Sequence, residues 1–129
     1  MYATKRVSNC KVSRTRDWNV GVRVWIERDG KAILGGGRVE LLEGIERSRS
    51  ISAAARRMRM SYRRAWLLVQ EMNSAAGEPL VEAVVGGSHG GGARLTPHGR
   101  TAIAIFRDLQ RRVARSAATT LVQLNTSIE

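Results

Sequence analysis

The chain has 129 residues, 43% of them hydrophobic, which suffices for one packed domain and argues against wholesale disorder. Its 22 Lys and Arg outnumber 11 Asp and Glu for a net charge of +11, and 19 of the cations are Arg, the side chain that forks onto phosphates and guanine edges. A single cysteine, Cys10, excludes an internal disulfide; with no apolar run of about 20 residues and no signal-peptide stretch, the expectation is a cytoplasmic protein with no membrane partner.

Residues 1–19 read as a basic tail without periodicity. From Val20 the pattern alternates, with Val20, Val22, Val24 and Ile26 on one face, which predicts a half-buried strand. Asp29-Gly30 is a two-residue hairpin turn, so Ala32-Ile33-Leu34 is expected to return as the second strand of an N-terminal β-hairpin. The spacing of Val39, Leu42 and Ile45 predicts a first helix over 38–47. A short, alanine-rich second helix follows over 53–58, capped by Ser50 or Ser52. Ser61 is placed to cap a third helix running to Ala76, which Gly77 and Pro79 close. The segments 80–85 and 93–95 read as two strands around a glycine-rich tip at 86–92. Thr96-Pro97 supplies an N-cap and a first-turn proline for a last helix over 97–118, and 119–129 reads as a C-terminal tail.

Helix, short helix, tight turn, longer helix and hairpin is the order of a winged helix-turn-helix. The expected fold class is mainly α with small β, a winged helix-turn-helix over 20–118 with an N-terminal β-hairpin and a long C-terminal dimerisation helix. The expected core is Leu42, Ile45, Met58, Ala65, Leu68, Val69 and Met72. On the third helix Ser61, Tyr62, Arg63, Arg64 and Trp66 then fall at the N-terminal end or outer side, where base edges are read; Trp66 fits either core or groove. From Arg47 to Arg64 there are seven Arg and no acid, which makes Arg49, Ser52, Arg56 and Arg57 candidate phosphate contacts. Ser88, His89 and Arg94 are the wing candidates. Ala102, Phe106, Leu109, Val113 and Ala117 recur at steps of four and three on the last helix, a stripe expected to join two copies into a homodimer.

No paired acid–base or nucleophile constellation appears, so no catalytic residue and no enzymatic activity are expected. The glycines at 86–92 match neither a dinucleotide fingerprint nor a P-loop, and Cys10, His89 and His98 have no metal-site spacing, so neither cofactor nor metal is expected.

The runs Ser50-Ile51-Ser52-Ala53-Ala54-Ala55, Met60-Ser61-Tyr62-Arg63-Arg64-Ala65-Trp66 and Glu71-Met72-Asn73 are similar to the DNA-binding region of the ModE family of molybdate-responsive regulators. The likeness continues through Leu80-Val81-Glu82, the glycine-rich stretch 86–93 and Leu95-Thr96-Pro97-His98-Gly99, and a more distant one to LysR-type DNA-binding domains is visible. This resemblance implies a sequence-specific regulator that binds double-stranded DNA as a dimer, its third helix in the groove and its wing near the backbone. Full-length members of that family carry C-terminal domains that bind molybdate. The sequence ends at Glu129 without such a segment, so direct molybdate binding is not expected. The alternatives are a subunit that pairs with a molybdate-sensing homologue and a nonspecific architectural nucleic-acid-binding protein, which the same charge would serve.

Overall fold

Two hairpins precede the helices. In the computed structural model, which describes residues 10–15, 18–86 and 91–128, strand β1 (Cys10–Thr15) pairs antiparallel with β2 (Trp18–Val22), and β3 (Trp25–Arg28) with β4 (Lys31–Gly35). The expected basic tail therefore contains a strand. Its sequence, CKVSRT, alternates only over Cys10 to Ser13, too short a run to announce a strand by itself, and β1 pairs with β2. The strand expected from Val20 to Ile26 is divided at Arg23-Val24, where the chain passes from one hairpin to the next. The alternation survives the division: Val20, Val22, Val24 and Ile26 are half-buried while Gly21, Arg23, Trp25 and Glu27 are exposed. Asp29 (φ 52°) and Gly30 (φ 76°) are both left-handed, the geometry of the tight turn that joins β3 to β4.

Helices α1 (Gly36–Ser48), α2 (Ile51–Arg57) and α3 (Tyr62–Ala76) follow, then β5 (Val81–Val84) and β6 (Gly92–Leu95), and finally α4 (Pro97–Ile128). Val39, Leu41, Leu42 and Ile45 of α1 are fully buried, and Ala54 and Ala55 of the short α2 lie close beneath them. Ala65, Val69 and Met72 of α3 complete the layer, and Leu80, Val81, Ala93 and Leu95 close it at the root of the β5–β6 hairpin. Met58 and Leu68, expected in the core, pack against its edge as half-buried residues.

The last helix departs most from expectation. It runs 32 residues, about 48 Å, to Ile128 rather than ending near Ala118. Between Ala118 and Ile128 there is no Gly or Pro to stop it, and the hydroxyls of Thr119 and Thr120 donate to the carbonyls of Arg115 (2.9 Å) and Ser116 (3.0 Å). The β1–β2 hairpin packs against this helix, so Val113 and Ala117 are half-buried beside Val20 within one chain. Phe106 is 0% exposed in the single chain and belongs to its core, a correction to its expected place on an inter-subunit seam. Ala102 also packs on the protomer's own core.

Candidate nucleic-acid interface

Side-chain caps fix where the second and third helices begin. Ser50, rather than Ser52, caps α2: its Oγ accepts from the Ala53 amide at 3.0 Å, which leaves Ser52 exposed on the first turn. Ser61 caps α3 in the same way, accepting from the Arg64 amide at 3.1 Å, so its hydroxyl serves the helix start. The turns entering these helices hold Arg49 (φ 56°) and Arg59 (φ 57°) in the left-handed region. That conformation costs an L-residue with a Cβ about 1–2 kcal/mol, and glycine would adopt it freely.

The far end of α3 is tied down. Arg28 Nη1 donates to the carbonyl of Ala76 (2.7 Å), and Arg38 reaches Glu71 (2.9 Å) while also donating to the Ala32 carbonyl (3.2 Å). The Asn73 amide clamps the following loop, accepting from the Leu80 amide (2.8 Å) and donating to the Val81 carbonyl (3.0 Å). Among the described residues the first half of α3 carries no such ties. Tyr62, Arg63, Arg64 and Trp66 are all exposed there, and at 42% exposure Trp66 lies outside the core.

The wing is positioned by a close approach. The Ala93 amide donates to the Arg49 carbonyl at 3.0 Å, and a Cβ on Gly92 would stand 2.7 Å from that same oxygen, so only glycine lets β6 lie against the α1–α2 turn. Arg94 does not offer a free charge: its Nε donates to Glu82 across the hairpin at 2.7 Å. Ser88 and His89, the other wing candidates, lie outside the described residues.

Charge pairing separates the arginines into two populations. Arg38, Arg94, Arg100, Arg107, Arg111 and Arg112 each meet a carboxylate, including the two-pronged contact of Arg107 with Glu43 that joins α4 to α1. Arg112 also holds the Asp108 carboxyl below its ordinary range through a direct hydrogen bond (2.8 Å). Among the described residues, none of the seven arginines between Arg47 and Arg64 is ion-paired, and all seven are exposed. Guanidinium groups left without carboxylates around an exposed helix N-terminus can receive phosphate oxygens with no internal pair to break.

The helix-turn-helix segment matches a known family: residues 37–100 fit the bacterial regulatory helix-turn-helix protein, lysR family. Residues 37–100 are a LysR-type helix-turn-helix domain. Two relatives refine this. The chain is 48% identical over 92 residues to a molybdenum-pterin-binding protein MopB of Rhodobacter capsulatus, covering 71% of this chain and 34% of that one. It is 40% identical over 80 residues to the DNA-binding transcriptional dual regulator ModE of Escherichia coli, covering 62% and 30%. The domain is thus of the ModE-like kind, and the chain spans about a third of the length of the curated relatives it matches. Among solved structures, a LysR family transcriptional regulator aligns with 62% of this chain and 26% of its own at 21% identity and a TM-score of 0.49.

In this LysR-type domain the predicted reading residues Tyr62, Arg63, Arg64 and Trp66 come together at one end of α3, with Arg56 and Arg57 exposed on the last turn of α2. Two residues went unnoticed in the sequence, Leu67 and Gln70. They continue the outer line from Arg63 at steps of four and three, opposite Ala65, Val69 and Met72. The same periodicity that identified the buried face would have found them by inversion.

Proposed function

We propose that this chain is the DNA-binding part of a transcriptional regulator, that it reads a specific duplex sequence with the first half of α3, and that it has no catalytic activity. The observation that carries this reading is the run of seven exposed arginines from Arg47 to Arg64 around an exposed helix N-terminus, none of them ion-paired among the described residues. Arg49, Arg56, Arg57 and Arg64 meet phosphates, and Arg63 enters the major groove. A duplex selected from a random pool is expected to bind at least about 10³-fold more tightly than random duplex of equal length at the same salt. A ratio near one, with binding retained, makes the protein an architectural binder instead.

The homodimer belongs to this proposal in altered form. Of the stripe expected from sequence, Leu109 (37% exposed) remains free to meet a second copy, and Ile105 (58% exposed), one turn before it, joins it. Two α4 helices packed through Ile105 and Leu109 bring two copies of α3 to one side of a duplex, about 34 Å apart for successive major grooves. Changing both residues to Asp is expected to give a folded monomer by sedimentation with much weaker binding to the selected duplex. A dimer that survives the double change moves the interface elsewhere.

A further inference from the structure

We infer that Leu67 reads the C5-methyl group of a thymine in the major groove, between base pairs read by Arg63 and Gln70. This rests on the proposed reading of α3 as the groove-entering helix and adds what the helix recognises there. Leu67 is 45% exposed in the middle of a line whose other members, Arg63, Gln70 and Ser74, are polar. An aliphatic side chain there does nothing for the protomer's core, since the inward face of α3 is filled by Ala65, Val69 and Met72. Among the described residues it also lies on the same helix as Arg63 and Arg64, which makes it a poor seat for a second copy of so basic a chain.

The major groove supplies what fits. Its floor is a pattern of donors and acceptors whose one apolar feature is the thymine methyl. At 1.5 Å per residue, Leu67 stands about 6 Å along the axis from Arg63 and about 4.5 Å from Gln70. With base pairs about 3.4 Å apart, each step corresponds to one or two base pairs. Arg63 has the fork for guanine O6 and N7, and the Gln70 carboxamide the donor and acceptor for adenine N6 and N7. No side-chain hydrogen bond within the described residues occupies either group. The recognised element is therefore a short run in which a guanine and an adenine flank a methyl-bearing thymine.

The test removes the methyl without changing any hydrogen bond. A binding site is selected from random duplexes with the whole chain, and each of its thymines is replaced in turn by deoxyuridine. At one thymine per half-site the replacement is expected to weaken the wild-type protein about fourfold, the equivalent of about 0.8 kcal/mol for one buried methyl group. Leu67→Ala is expected to fold with unchanged Tm and to bind the thymine and deoxyuridine duplexes equally at that position. Indifference of the wild type to every deoxyuridine overturns the inference, as does a fourfold loss that persists in Leu67→Ala. In both of those cases a selected site and its salt dependence remain, so the regulator reading stands. Failure of the selection to enrich any site removes that reading and this inference together.

Discussion

Raising the salt from 50 to 200 mM is expected to weaken binding of the proposed dimer to its duplex by about 10⁴-fold. Arg49, Arg56, Arg57 and Arg64 are exposed and, among the described residues, not ion-paired, four per protomer and eight per proposed dimer. Each phosphate neutralised adds about −0.9 to the slope of log K against log salt, so the slope should be about −7. A monomer bound through the same groups would give about half of that. Arg56→Ala combined with Arg57→Ala removes four contacts per dimer and should flatten the slope by about 3.6. Arg94→Ala is the internal control: Glu82 holds this guanidinium across the β5–β6 hairpin, so its loss should leave the slope nearly unchanged. A wild-type slope near −2 would show that the arginine face is solvated charge. Titration measured by fluorescence anisotropy at four or five salt concentrations decides among these results.

Phe106→Ala is expected to be the most damaging single change, lowering stability by about 3–5 kcal/mol and Tm by about 10–20 °C. The ring is fully buried where α4 packs on α1 and the wing root, and it is the largest side chain in the core. Its removal leaves a cavity lined by residues that are themselves packed, so relaxation is partial. Against a typical stability of about 5–15 kcal/mol that loss is a large fraction of the total. The same variant separates core from interface. The dimer dissociation constant of the folded protein should be unchanged, because Ile105 and Leu109 carry the proposed seam. A variant that keeps its Tm but dissociates would return Phe106 to the interface. Thermal unfolding and sedimentation, run on the same samples, give both answers.

How much of this was legible beforehand depended on the distance over which each feature is decided. The caps at Ser50 and Ser61, the Asp29-Gly30 turn and the Thr96-Pro97 helix start involve groups within a few residues of one another. Their chemistry was written in the sequence, and so was the buried face of α3, because a period of 3.6 requires only the helix itself. The winged helix-turn-helix order and the family resemblance followed from those pieces.

Other features depend on what stands opposite, and composition does not say what that is. The stripe from Ala102 to Ala117 was read as a seam between two copies, but within one chain its residues divide: the core takes Phe106, the β1–β2 hairpin shelters Val113 and Ala117, and Leu109 stays open. The strand Cys10–Thr15 exists through its partner and not through its own pattern. Arg94 and Arg57 look alike in sequence; folding pairs Arg94 with Glu82, while among the described residues Arg57 has no ion pair. A period names a face and a charge names a tendency, both properties of one segment. Which surface meets that face, and which charge is already neutralised, are set by contacts between residues far apart in the chain, and those only the tertiary structure decides.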